Sequence, residues 1–291
     1  MSHFESTVRM GFRTVSPFVL AIAMTAACGC QQQGGSATNG KSSPSASALE
    51  KLGATLQVGK NGEIIRVSAP ESDITDADLE LLKNETGLKR LTLGRTSIGS
   101  DGLKHLAGLT QLEVLDLSDT QITDEGLEHL KGLTALKALV LRNTSITDEG
   151  LKFLSGLTNL EVLELDHTKL TGSGLVHLTP LTNLKRLRFY GVAVTDDALA
   201  PLAKLENLEI LFLAGADIGN AGLAHITGLT NLKYLNLTGT GVTDACVDHL
   251  KDLPNLTTLR LDGTQVTKDG RLAILKAVPS CRQIFPSVLL D

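Results

Sequence analysis

The sequence predicts an α/β solenoid: a curved, right-handed stack of short units, with a parallel β-sheet on the concave face and short helices on the convex face. Three observations predict it. One apolar pattern returns every 24 residues in eight consecutive units, with Leu88, Leu112, Leu136, Leu160, Leu184, Leu208, Leu232 and Leu256 holding the same place. Inside each unit the apolar spacing changes from alternation to a helical period. Both ends of the run depart from the pattern, as the capping units of a one-dimensional stack do.

The second unit, LEVLDLSDTQITDEGLEHLKGLTA, serves for all. Leu112, Leu115 and Leu117 open it, and a short extended piece around residues 114–116 sends alternate side chains to opposite faces. Ile122 follows a turn, and Leu127, Leu130 and Leu133 then recur at helical spacing. Thr123 is suited to cap that helix, and Asp124 and Glu125 place negative charge at its positive end. The same signal returns at Thr147-Asp148-Glu149, Thr195-Asp196-Asp197 and Thr243-Asp244. One unit cannot bury its leucines alone; stacked units can.

Leu-x-x-Leu-x-Leu, a turn, an aliphatic residue and a short helix are together similar to the leucine-rich repeat. Over residues 64–280 the T-x-ITDxGLxxL signature resembles the repeats of F-box-associated and bacterial leucine-rich repeat proteins. The resemblance implies an interaction module and supplies neither a reaction nor a named ligand. The ninth position departs from the common Asn or Cys. It is Thr at Thr96, Thr120, Thr144, Thr168, Thr240 and Thr264, whose hydroxyls are expected to bond local backbone instead of forming the usual asparagine ladder. Position fifteen is small (Gly102, Gly126, Gly150, Gly174, Ala198, Gly222). Glycine in a helix costs about 1 kcal/mol against alanine, so close packing on the next unit is expected there.

The eight repeats span 88–280. Residues 49–87 read as an N-terminal cap, made of a degenerate unit and, before it, an Asn61-Gly62 turn between alternating runs, which signals a hairpin. In the degenerate unit Glu85 takes a leucine position. Residues 281–291 read as the C-terminal cap. Residues 1–27 carry Arg9 and Arg13 and then an apolar run from Val15 to Ala27, too short to span a bilayer and typical of a secretory signal. The run ends in small residues before Cys28 and Cys30, which resembles a bacterial lipobox; either cysteine is a candidate for lipidation. Residues 28–48 then hold the anchor cysteine and a Gly/Ser-rich linker. This address implies export to the cell envelope as a membrane-anchored lipoprotein, with plain secretion as the alternative.

Lys and Arg number 27 against 32 Asp and Glu, for a net charge of −5. With no basic stripe, this argues against a nucleic-acid partner. Cys246 and Cys281 fall in different unit positions two repeats apart, which fits buried small hydrophobes better than a disulfide framework. His105, His129, His177, His225 and His249 share position eighteen on the convex side without recurring acidic or thiol partners, so they read as packing residues rather than metal ligands. Position two alternates in sign (Lys89, Glu113, Lys137, Glu161, Lys185, Glu209, Lys233), placing opposite charges about 4.8 Å apart at every junction of a parallel ladder.

The concave face holds one unusual cluster. Tyr190, Phe212 and Tyr234 fall at outward positions on neighbouring units, with Arg186, Arg188 and His167 beside them and Glu164 and Asp166 one unit earlier. Aromatics exposed there resemble a binding hot spot; mutual packing, with Glu164 paired to Arg188, is the structural alternative. There is no G-x-S-x-G elbow, and no Cys/His pair is placed for catalysis. The sequence therefore points to a non-enzymatic, envelope-anchored module that takes a protein, or else a glycan, through its concave face. No cofactor, metal or small-molecule substrate is expected. A passive envelope spacer and a ubiquitin-ligase-adaptor-like protein are the other readings. A signal sequence opposes the second of these, because adaptors work in the cytosol.

Overall fold

The computed structural model describes residues 44–286. Eleven strands form one open sheet in sequence order: β1 (Thr55–Val58), β2 (Ile64–Ser68), β3 (Arg90–Thr92), β4 (Val114–Asp116), β5 (Ala138–Val140), β6 (Val162–Glu164), β7 (Arg186–Arg188), β8 (Ile210–Phe212), β9 (Tyr234–Asn236), β10 (Thr258–Arg260) and β11 (Gln283–Phe285). From β2 to β10 each strand pairs in parallel with the strand of the next 24-residue unit, Leu91 on Leu115 on Leu139 and onward in strict register. The leucines between sheet and helices are fully buried along the whole stack. This is the leucine-rich repeat solenoid that the period implies.

The outer face carries short helical turns. The second unit has a five-residue α-helix, Asp124–Glu128, but most units have a 3-10 segment such as Asp148–Leu154 or Ser173–Leu178. A unit of 24 residues leaves little chain for its outer arc, and the longer rise of a 3-10 turn covers that arc with fewer residues.

The caps differ from expectation in instructive ways. β1 and β2 form the expected hairpin, with Gly62 at φ +88°, and β2 lays its other edge on β3. The linker assigned to 28–48 ends early, because a helix, α1 (Pro44–Lys51), buries Ala46 and Leu49 in the same core. The Ser45 hydroxyl donates to Glu85 Oε1 at 2.6 Å, which accounts for a carboxylate at a leucine position. At the far end a ten-residue helix, Lys268–Ala277, and β11, added in parallel to β10, cover the last repeat.

Three columns hold the units together, and two of them work between units rather than within one. The threonines at position nine each donate to a carbonyl three residues back, as Thr120 Oγ1 does to the Leu117 oxygen at 2.6 Å, so they satisfy the turn locally as expected. An asparagine ladder exists nonetheless, at the last position of the unit: Asn159, Asn183, Asn207, Asn231 and Asn255 donate from Nδ2 to a backbone carbonyl of the preceding unit at 2.8–2.9 Å. The aspartates expected to serve their own helices cap the next unit instead. Asp148 accepts from Thr171 N (2.9 Å), Thr171 Oγ1 (2.6 Å), Gly172 N (3.0 Å) and Gly174 N (2.9 Å). Asp124, Asp196 and Asp244 reach forward in the same way to Thr147, Gly219 and Thr267. Burial raises the Asp148 carboxyl, but the Thr171 hydroxyl and the three N–H donors outweigh it and hold the group below its ordinary value.

The small column at position fifteen packs on the preceding unit, not the next. A Cβ on Gly174 would lie 2.8 Å from Asp148 Cα. Where this column carries Ala198, the facing position in the preceding unit is Gly172, whose own Cβ would lie 2.5 Å from that of Ala198. The exception at position fifteen is therefore matched by a second exception one unit earlier.

Candidate functional site

Side chains at the third, fifth and seventh positions of each unit stand on the concave sheet, because the first, fourth and sixth point into the core. From β5 to β11 this surface carries a continuous charged and aromatic assembly. Phe212 stacks on Tyr234 with ring centroids 4.9 Å apart, and the Arg188 guanidinium lies 4.4 Å from the Phe212 centroid. Beyond Tyr234, Arg260 donates to Asp262 Oδ2 from Nε at 3.1 Å and Nη2 at 2.9 Å and sits 5.4 Å from the Phe285 ring. Burial raises the Tyr234 phenol above its ordinary value, against the opposing charge of Arg260. The order Arg188, Phe212, Tyr234, Arg260, Phe285 is thus cation, ring, ring, cation, ring, each guanidinium against the negative face of an aromatic.

This corrects two expectations. Phe212 does not project freely: it is 8% exposed, packed between its neighbours. Its truncation to alanine is therefore expected to cost about 3–5 kcal/mol of folding rather than leave the fold untouched. Nor do the three aromatics form a single band. Tyr190 meets His167 edge to face at 4.8 Å, and that pair lies to the side of the Phe212–Tyr234 stack. His167 is one of five non-glycine residues, with Glu71, Arg95, Asp119 and Asn143, that hold a left-handed φ at position eight; the later units use glycine there. Asn143 donates to Asp119 Oδ1 at 2.8 Å, and Arg95 bridges Asp119 and Glu71.

The charges are also paired differently from the simplest ladder. Arg188 lies across from Glu164 in strand register, yet it binds Asp166, with Nε at 2.8 Å and Nη2 at 2.6 Å from the same oxygen. Asp166 Oδ1 also accepts from Tyr190 N at 2.9 Å. Glu164 lies instead between two other arginines, Arg186 Nε at 3.3 Å and Arg142 Nε at 3.5 Å. The Arg186 contact is close enough for charge attraction but is not aligned as a hydrogen bond, and neither Nε nor Nη1 of this 7%-exposed side chain has a hydrogen-bond partner. Burial lowers the Arg186 guanidinium from its ordinary value while Glu164 opposes the shift. Arg142, Arg260 and Phe285 lie outside the cluster that the sequence predicts. The recurrence of arginine at outward positions five and seven was the available signal.

Elsewhere the position-two row pairs in a direction. Lys137, Lys185 and Lys233 each reach back to the glutamate of the preceding unit at 2.8–2.9 Å, at three junctions of six rather than at all of them. Each of these lysines leans back toward the preceding unit, and the alternate junctions carry no close ion pair. The bond from Lys137 holds the Glu113 carboxyl below its usual value. Among the described residues no group of His, Cys, Asp and Glu is arranged to hold a metal ion, and no helix is long and apolar enough to cross a membrane. Cys28 and Cys30 lie outside the described residues.

Comparison with known proteins bears on this geometry. A family pattern described as Leucine rich repeat matches residues 86–146, and a second, Leucine Rich repeat, matches residues 228–245. Internalin C2 from Listeria monocytogenes is 30% identical, with 70% of this chain and 81% of that one covered and a TM-score of 0.57. The chain belongs to the leucine-rich repeat family. A 19%-identical structure shares the fold: the leucine-rich repeat ectodomain of the plant membrane receptor kinase GASSHO1/SCHENGEN3 from Arabidopsis thaliana, with 72% of this chain and 28% of that one covered and a TM-score of 0.53. No curated protein sequence matches the chain. Leucine-rich repeat proteins are typically interaction modules that bind protein partners, and the solenoid described above has the architecture of one.

Proposed function

We propose that this leucine-rich repeat protein is exported, held at a membrane through a lipid on Cys28 or Cys30, and presents its concave face to a protein partner. The observation that carries the binding surface is the packed arginine–aromatic assembly from Arg188 to Phe285, which includes the half-buried Tyr234 and has the half-buried Tyr190 beside it. Tyrosine and arginine at the centre of a rigid face are the side chains that most often dominate protein interfaces. A protein fits this surface better than a glycan does. Phe212 has Arg188 on one side and Tyr234 on the other, so it offers no bare ring for a sugar to stack on. The anchor rests on the apolar run, the small residues before Cys28 and the polar segment after Cys30.

Two measurements test the reading. Tyr190→Ala and Tyr234→Ala are each expected to weaken partner capture about thirtyfold, corresponding to about 2 kcal/mol for a central aromatic, while His105→Ala on the convex side leaves it unchanged. The reverse pattern would place the working surface on the helices, and no effect from any variant would favour a passive spacer. Replacing both Cys28 and Cys30 with serine is expected to move the protein out of the membrane fraction. Unchanged fractionation would refute the anchor.

A further inference from the structure

The arginine cluster on β5–β7 carries one more positive charge than its own carboxylates neutralise. Arg142, Arg186 and Arg188 share Glu164 and Asp166. Asp166 is taken up by both nitrogens of Arg188 and by Tyr190 N, while Glu164 is stretched between Arg142 and Arg186 at 3.5 and 3.3 Å. Arg186 is left with two buried nitrogens lacking any hydrogen bond. An unpaired buried donor is costly, and more so on a charged group. Two orphaned nitrogens in a cluster of net +1, within a chain of net charge −5, call for an anion from outside.

We infer that this cluster is the docking point for a single carboxylate, the Asp or Glu side chain of an extended acidic segment of the partner, received between Arg142 and Arg186. The inference rests on the proposed concave binding face and names the chemistry recognised there. One carboxylate brings the cluster to neutrality. A phosphate dianion would overshoot neutrality by one charge, leaving the partly desolvated site with a net negative charge beside Glu164 and Asp166. Arg142, 44% exposed, is the group that the incoming acid meets first, and the 7%-exposed Arg186 lies behind it. The apolar strip Val114, Ala138 and Val162, paired in register across β4, β5 and β6, lies next to the cluster and suits the stem of an extended chain.

The test supplies the missing carboxylate from within the protein. Val162 stands directly across from Arg186 in the ladder. Val162→Glu puts an acid at the proposed docking point, and Val162→Gln has nearly the same shape without the charge. The full chain and both variants are titrated with capped Ser-Gly hexapeptides bearing Glu, Gln or phosphoserine at two positions, and each protein is melted without peptide. The parent is expected to bind the Glu peptide about tenfold more tightly than the Gln and phosphoserine peptides. Val162→Glu is expected to lose that preference and to melt several degrees above Val162→Gln. Equal binding of Glu and Gln peptides overturns the inference, as does preference for phosphoserine or a Val162→Glu protein melting at or below Val162→Gln. If the carboxylate inference fails while capture of the whole partner still depends on Tyr190 and Tyr234, the concave face remains the binding surface and only its acidic recognition falls.

Discussion

Adding one methyl group at Gly174 is expected to destabilise the stack, although the same change in a helix ordinarily stabilises. The new Cβ would lie 2.8 Å from Asp148 Cα and 2.9 Å from the Asp148 carbonyl carbon, both backbone atoms of the preceding unit. Carbon atoms in contact need about 3.5 Å or more, so the seam must open by roughly 0.7 Å. Opening it stretches the bonds from Gly172 N and Gly174 N to Asp148 Oδ1, now 3.0 and 2.9 Å. Overpacking costs about 1–3 kcal/mol, with backbone contact at the upper end. The intrinsic preference for alanine returns up to about 1 kcal/mol, leaving a net loss near 2 kcal/mol. For a domain of this size that lowers the melting temperature by about 4–8 °C. Gly132 is the internal control, with no heavy atom within 4 Å of its virtual Cβ and no left-handed φ. Gly132→Ala is expected to raise the melting point by about 1–4 °C through the unfolded chain. Thermal melts followed by far-UV circular dichroism suffice. If Gly174→Ala melts as high as the parent, the units do not approach as closely as argued.

Glu161→Lys removes the 2.8 Å pair with Lys185 and lines up three positive side chains with Lys137. The expected loss is on the order of 1 kcal/mol, read by urea denaturation, and it should shrink in added salt; a large, salt-independent loss would give Glu161 another role. The Asp148 carboxyl sits below its unfolded value, so its contribution is complete above about pH 4 and fades as pH falls through the folded value. Asp148→Asn should therefore be less stable than the parent at pH 7 by about 1.5–3 kcal/mol, with the gap closing in acid; a gap that widens in acid would contradict the assignment. Burial pushes the Cys246 thiol up to about 12 and the Cys281 thiol up to about 11. Both should resist a thiol reagent at pH 8 in the native protein and react fully in denaturant, and rapid native labelling of either would place it outside the core.

The sequence determined the stack itself, because each apolar column is a property of one unit repeated, and the side chains at positions one, four and six have nowhere to go but inward. Leu115 and Leu163 needed no tertiary information to be placed. It also determined that Tyr190, Phe212, Tyr234, Arg186 and Arg188 stand on the concave side, since their positions in the unit fix the face. Only the tertiary structure decided what those groups touch. Asp148 caps the unit after its own, Gly174 leans on the unit before it, Arg188 takes Asp166 rather than the facing Glu164, and Arg186 is left short of a partner. Each of these outcomes depends on the offset between successive units and on the direction in which a long side chain leaves its strand. The 24-residue period says which residues recur together. It does not say which neighbour each one reaches, because a repeat is symmetric toward both sides until the twist of the stack makes the two seams of every unit different.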